Sequence, residues 1–118
     1  MAIITTQAEW DALGGEITGR VEIVSHVELR GRLAILDGGL LDILDDGWLA
    51  IRAGGQLDIR DGGLLAILDG GWLAILAGGL LNIFDGGLLA IHAGGQIAIL
   101  DDGWLDIRNG GRLVGHIG

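Results

Sequence analysis

Residues 64–99 read LLAILDGG-WLAILAGG-LLNIFDGG-LLAIHAGG-QIAI, a unit of eight residues repeated four times and begun a fifth. Followed outward, the period runs from Leu33 to Leu113. Ile stands at 35, 43, 51, 59, 67, 75, 83, 91, 99 and 107, and Gly at 39, 47, 55, 63, 71, 79, 87, 95, 103 and 111. Two positions before each Ile sits Leu, or Ile in the case of Ile97. The unit is x-[D/A/N]-[G/D]-G-x-L-x-I. Its L-x-I core has period two, so both side chains point to one face of a strand. A helix is excluded, because paired Gly every eight residues would break each second turn. The D-G-G, A-G-G, N-G-G and D-D-G groups are turn chemistry. Only their last position is always Gly, which predicts a positive φ there. Each octad is thus expected to be a strand of about five residues plus a tight corner.

Before Leu33 the period shortens to six. Val21-Glu22-Ile23, Val27-Glu28-Leu29 and Leu33-Ala34-Ile35 are successive apolar-x-apolar triplets joined by Val24-Ser25-His26 and Arg30-Gly31-Arg32. Residues 1–14 differ again, and Gln7–Leu13 suggests a short helical turn. The domain reading is therefore an N-terminal cap or attachment segment over 1–14 and a β-repeat shaft over 15–118. Within that shaft the pattern is hexad-like over 16–35 and octads run over 33–114. Repeat stacks need such caps at their ends.

Bulk composition agrees with an ordered repeat. Gly supplies 24 of 118 residues, but half the chain is apolar, more than a disordered chain carries. Gly does not recur every third residue, so collagen is excluded. The formal charge of −9 makes nucleic acid an unexpected partner and favours solubility. There is no Cys, hence no disulfide or thiolate chemistry. The N-terminus lacks the features of a signal peptide, and no apolar run approaches the ~20 residues of a membrane helix.

Two windings satisfy the pattern. In an antiparallel meander with three-residue G1-bulge turns, Ala93-Gly94-Gly95 would place Ile91 opposite Ile97 and Leu89 opposite Ile99. In a β-solenoid, each octad is one side and Leu and Ile point to the axis. The short hexads favour the solenoid, since their strands are too short for hairpins. A single-chain solenoid would use ten octads in little more than three turns and stand only ~15 Å tall, exposing sheet edges at both ends. Three intertwined chains, each climbing one strand spacing per octad, would give a shaft of roughly 50 Å. Octads with Gly corners and inward β-branched residues over about residues 16–114 resemble the intertwined trimeric β-helices of phage tail spikes, needles and fibre shafts. That resemblance implies a trimeric viral structural part.

Outward positions flanking the corners are coupled. Apolar meets apolar at Leu36/Leu40, Leu44/Trp48, Leu68/Trp72, Leu76/Leu80, Phe84/Leu88 and Leu100/Trp104; polar meets polar at Arg52/Gln56, His92/Gln96 and Arg108/Arg112; Arg60/Leu64 is mixed. Ladders formed by self-packing, or a docking surface, account for such residues. The middle outward position carries mainly Ala and Asp and is expected to stay wet. Asp37, Asp45, Asp61, Asp69, Asp85 and Asp101 recur beside the corners. Asp at the start of a type I turn caps its own backbone, and the G-G-x-G-x-D unit of Ca²⁺-binding solenoids is missing.

No active site is legible. His26, His92 and His116 are isolated, and Ser25 is the only serine nucleophile. Asp on a solvated strip has no pocket to shift its pKa for glycoside hydrolysis. In a parallel trimer, three copies of His116 would meet on the axis and offer a metal site; a fraying polar terminus is the plainer reading. Thr5, Thr6 and Thr18 are too few for an ice-binding rank. No catalytic, cofactor-binding or metal residues are assigned, and no cofactor is expected. The expected role is a non-enzymatic structural protein, a homotrimeric β-helical spike, needle or fibre component of a phage virion or tail. Its expected partners are other virion proteins, through the N-terminal segment or the Leu/Trp corners. The alternatives are a capsid decoration or adhesin-like binding module docking through Leu/Trp corners, and a designed repeat protein.

Overall fold

The computed structural model of the chain describes residues 2–92, 94–99, 103–107 and 111–115. In chain order its elements are β1 (Ala2–Ile4), α1 (Gln7–Asp11), β2 (Glu16–Ile17), β3 (Arg20–Ile23), β4 (His26–Leu29), β5 (Arg32–Ile35), β6 (Leu40–Ile43), β7 (Trp48–Ile51), β8 (Gln56–Ile59), β9 (Leu64–Ile67), β10 (Trp72–Ile75), β11 (Leu80–Ile83), β12 (Leu88–Ile91), β13 (Gln96–Ile99), β14 (Trp104–Ile107) and β15 (Arg112–Val114). The strands form three parallel sheets, the sides of a β-solenoid of about four turns. Side one stacks β1-β3-β6-β9-β12-β15, side two β4-β7-β10-β13 and side three β2-β5-β8-β11-β14.

The winding is within one chain. Leu49 pairs with Leu73 and Leu73 with Ile97, so three octads close one turn and identical positions stack 24 residues apart. Every pairing among the described strands is parallel, which removes the antiparallel meander. The intertwined winding is corrected as well, since strands of the same chain supply each other's neighbours. The ~15 Å height expected of a single chain was too small because it counted octads alone. Residues 2–35 add their own turns, and the six strands of side one span roughly 24 Å at the usual spacing.

Hexads and octads share one strand length, four residues, and differ only at the corners. Glu16 pairs with Ala34, Arg20 with Leu40, His26 with Trp48 and Arg32 with Gln56. The offset grows by two at each corner until it settles at 24, as two-residue links give way to four-residue links one side at a time. The inward Leu and Ile therefore stay in register. Columns such as Ile35–Ile59–Ile83 and Ile43–Ile67–Ile91 run through the axis, and Leu41, Leu49, Leu57, Leu65, Leu73 and Leu81 are 0% exposed. Full burial of each such side chain contributes about 1.5–3 kcal/mol.

The octad corner is a β-turn. Gly39 N–H donates to the Leu36 carbonyl at 2.8 Å, with Asp37 and Gly38 between them. Gly38 has φ +83° while Asp37 does not have positive φ, which is the type II pattern. Positive φ thus falls on the middle corner position, not on the last Gly as expected. The last Gly is needed for room. A Cβ built on Gly39 would lie 2.2 Å from the Ile17 carbonyl oxygen of the turn below, and the same approach recurs at Gly47, Gly63 and Gly71. Corner Asp is at the second position of this turn, so the expected type I self-capping does not occur. Asp37, Asp45, Asp61 and Asp69 are exposed, and the turn is closed by backbone alone.

At the N-terminal end, the helical turn expected near Gln7–Leu13 is α1. Thr6 caps it by accepting from Glu9 N–H, and the Glu9 carboxylate accepts back from Thr6 N–H. Hydrogen bonds from Thr5, its hydroxyl first, hold the Glu9 carboxyl below its ordinary range. The Gln7 amide donates to the Glu28 carbonyl at 2.9 Å and accepts from Glu28 N–H at 2.7 Å. It thereby takes the place of a further strand along β4, the outermost strand of side two. Trp10 is buried on the core, and β1 pairs directly with β3.

Candidate functional site

Stacking turn on turn, by 20 and 22 residues in the first turns and by 24 thereafter, sorts the outward residues into columns that a linear reading mixes. The middle position runs Ala34–Asp58–Asn82–Asp106 on side three, Glu28–Ala50–Ala74–Ala98 on side two and Glu22–Asp42–Ala66–Ala90 on side one. The expected wet strip is mostly buried: Asp58 is 0% exposed, Asp42 and Asn82 4%, Ala66 4% and Ala50 3%. The cause is shape. The middle residue is small, and the larger side chains two positions before and after it lean over it.

Side three carries the densest polar arrangement. Asp58 accepts from Gln56 Nε2 at 3.0 and 3.2 Å and from Asn82 Nδ2 at 3.0 Å. The Arg32 and Arg60 guanidinium groups stand 3.6 and 3.5 Å from its Oδ2, and Arg60 also lies 4.2 Å over the Phe84 ring. A fully buried carboxylate requires such compensation. The expectation that this outward position stays wet is therefore corrected at Asp58, and a substitution there acts on a buried group. An amide there presents donors to the Gln56 and Asn82 amides and loses the attraction of two Arg. Asp58→Asn is expected to cost about 1–3 kcal/mol, the penalty for unsatisfied buried polar groups. Urea unfolding measures it, and a midpoint equal to wild type would refute the network's role.

Side one opens with a second charged group. Arg20 bridges Glu22 at 3.0 Å and Asp42 at 3.2 Å. Burial pushes the Asp42 carboxyl above its ordinary range, with Arg20 pulling the other way. A carboxyl whose folded pKa is raised loses stability as pH rises from its unfolded towards its folded value. Removing the counterweight enlarges that loss. Arg20→Ala is thus expected to lower Tm at neutral pH and to do so much less in acid, where Asp42 is protonated. Melting curves at the two pH values decide it; an equal Tm difference at both would count against the pairing.

Side two carries an aromatic ladder. The His26 and Trp48 rings stack at 5.1 Å, and Trp48 and Trp72 at 5.2 Å. Arg30 and Arg52 both pair with Glu28 beside them. The outward Leu and Trp thus pack in ladders along the stack, although Trp48 stays 39% and Trp104 64% exposed. A crevice of about 280 Å³ separates α1 from the first turn and is lined by residues including Gln7, Trp10, Asp11, Glu28, Arg30 and Arg32.

These groups do not converge on a reaction centre. His26 is engaged with Trp48, and the Ser25 hydroxyl is buried with no hydrogen-bond partner among the described residues. The corner residues Asp37 and Asp61 sit on one corner column, Asp45 and Asp69 on another. Among the described residues, no three of His, Cys, Asp and Glu come together as a cation site. Asp101, Leu100, Arg108, Ala93 and His116 lie outside the described residues. Also among the described residues, no helix is long and apolar enough to cross a membrane. The Asp58 network escaped the sequence reading, although a signal was present: taken every third octad, the middle position places Asp, Asn and Asp in one column.

No protein-family model matches the chain, and no curated protein matches it. Among solved structures, it has a weak likeness to the crystal structure of a TibC-catalysed, hyper-glycosylated TibA fragment. Identity is 18% and the TM-score 0.20, over 85% of this chain and 55% of that one. The chain spans little more than half of that fragment's length, and a likeness this low carries no argument about role.

Proposed function

We propose that this chain is a non-enzymatic structural protein, a β-solenoid unit of a virion or phage tail of the spike, needle or fibre kind. The observation that carries the structural reading is the use made of buried polar groups. Among the described residues, buried Asp42, Asp58 and Asn82 are each engaged by side chains of the same stack. These polar groups join one turn of the stack to the next. The octads with Gly corners support the spike and fibre reading by resemblance. Since one chain closes its own turns, a shaft of this kind is built from single-chain units. Its acidic surface, −9 in all, opposes nonspecific association and makes nucleic acid an unsuitable partner.

A rigid structural unit resists proteolysis in the folded state, because cleavage needs local opening. Native trypsin is therefore expected to leave Arg20, Arg30, Arg32, Arg52 and Arg60 uncut, and prompt cutting at Arg52 or Arg60 would defeat the reading. The virion assignment is tested separately, by finding the chain at fixed stoichiometry in purified particles. The exposure of Trp48 and Trp104 favours one second reading, a decoration or adhesin-like module docking through these residues. Absence from particles, together with receptor binding lost in Trp48→Ala or Trp104→Ala, would select it.

A further inference from the structure

The three corners of the stack differ in charge. Where side three turns into side one, Asp37, Asp61 and Asp85 succeed one another, with the Asp37 carboxylate beside Gly62 and the Asp61 carboxylate beside Gly86 of the turn above. Where side one turns into side two stand Asp45, Asp46 and Asp69. All six are exposed, and none enters an ion pair among the described residues. The third corner carries Ala53 and Ala77 instead, beside Arg30 and Arg52. Among the described residues, side one is therefore the only side with acid along both edges. Between its acidic rows the outward face is apolar. Leu40, Leu64 and Leu88 form one column and Leu44 and Leu68 another, and all five are half-buried. Ala66 and Ala90 stack between the columns. The acid below them, Asp42, is buried and held by Arg20.

We propose that side one docks a cationic amphipathic helix of another protein. The helix lies along the stack, its apolar stripe on the Leu columns and Lys or Arg on both flanks. The strands β6 and β9 already have neighbours above and below, so this face has no free edge for an added strand. An apolar sheet face takes a helical stripe instead. The dimensions fit. By the rise of the extended residues between them, the acidic rows stand roughly 20 Å apart. A helix about 10–12 Å across leaves about 4–5 Å on each flank for a cationic head. Carboxylates repeat along the stack at about 4.8 Å and helix turns at about 5.4 Å, so cations one turn apart drift only about 1 Å over three levels. Like charges at that spacing repel, and a cation on each flank relieves the repulsion. The formal charge of −9 draws such a partner in. Charge also rejects other occupants. Side one against side one of a second copy sets acid on acid. The Arg residues of its third corner are already paired, Arg30 and Arg52 with Glu28 and Arg32 with Asp58. Anionic lipid and nucleic acid meet the same acidic rows. The inference holds whatever larger structure the chain belongs to.

The probe is a labelled helical peptide of about 16 residues, long enough to span side one, with a Leu stripe flanked by Lys on both sides. The whole chain is titrated into it and fluorescence anisotropy is read at roughly 0.15 M salt, where charges more than about 8 Å away are screened. Binding is expected. Asp61→Lys/Asp69→Lys reverses one carboxylate in each row, and the turns there are closed by backbone, so the fold is expected to persist by circular dichroism. Affinity is expected to fall about tenfold or more, two ion pairs being replaced by two repulsions. Asp11→Lys/Glu16→Lys makes the same change of net charge away from side one and is expected to leave affinity within about twofold. Equal weakening by the two variants would reduce the effect to net charge and overturn the proposal. So would equal binding of a scrambled peptide of the same composition, which lacks the stripe. A dimer of the chain that excludes the peptide assigns the face to a second copy, and co-sedimentation of the chain with phosphatidylcholine vesicles assigns it to a lipid surface; either result overturns the proposal.

Discussion

Ile67→Asp is expected to leave no folded chain at neutral pH. Ile67 lies on β9 at the centre of side one, is 0% exposed, and pairs in register with Ile43 below and Ile91 above. A carboxylate there meets apolar side chains on every inward side and has no outward Arg to reach, unlike Asp58. Losing the Ile side chain removes a contribution of roughly 2–5 kcal/mol by analogy with large-to-small core changes. Burying the charge, or protonating it to avoid burial, costs several kcal/mol more. Domain stability is only about 5–15 kcal/mol, so the sum consumes most or all of it. Ile67→Val provides the control, with an expected loss of about 0.5–1.5 kcal/mol. Circular dichroism melting distinguishes the cases. A wild-type Tm in Ile67→Asp would show that the Ile column is not the core.

Much of this core was legible in the sequence. L-x-I with period two, repeated every eight residues, requires one apolar face per strand, and the residues it nominates are those found at the axis. The winding was harder to read for a physical reason. Ten near-identical octads carry the same hydrophobic pattern whether the neighbour above is one octad on, three octads on, or in another chain. The hydrophobic effect is non-directional and does not choose among these. What does label the neighbour is the outward middle position. Taken turn on turn, Asp58 meets Asn82, whose amide it can accept from, 24 residues on, and Asp42 meets Glu22, 20 residues back at the shorter hexad offset, with Arg20 placed to bridge both. Neighbours in a parallel stack repeat at about 4.8 Å, where unbridged carboxylates repel. In this turn-on-turn stacking each buried acid finds a compensating partner on a neighbouring strand.

The buried state of Asp58 was hidden by a related assumption, that an outward residue on a strand is a wet one. Strand alternation sets direction, not exposure. On side three the direction is outward, yet Gln56, Arg60, Arg32 and Asn82 close over the carboxylate. Sequence distance obscured this, because Arg32 and Asn82 are 26 and 24 residues away on the chain from Asp58 but on adjacent strands in space. The capping role of Gln7 was equally unreadable. It depends on its amide matching the spacing of a peptide group along β4, and no periodicity announces that.

The two corner glycines next to each other are expected to fail differently, which separates conformational freedom from room. At Gly79 a Cβ would lie 2.3 Å from the Ile51 carbonyl oxygen and 3.0 Å from the Ile51 carbonyl carbon and Cγ2. That oxygen is fixed, because it accepts from Leu76 N–H at 2.9 Å and so holds two turns together. Relief therefore requires spreading the turns and losing ladder hydrogen bonds on either side of the corner. Gly79→Ala is expected to cost at least the 1–3 kcal/mol of an overpacked core site, and Gly79→Val considerably more. At Gly78, with φ +82°, the nearest atoms are the Ala53 Cα and Cβ at 3.0 Å. The cost of Gly78→Ala is that of a left-handed residue, about 1–2 kcal/mol, with a small adjustment of Ala53. The chain itself performs the comparison: Asp46 occupies the middle corner position at φ 70°, while the last corner position carries Gly in all ten octads. Denaturant midpoints of the two alanine variants test the ranking. If Gly78→Ala proved as damaging as Gly79→Ala, the constancy of the last glycine would have to be explained by something other than the carbonyl beneath it.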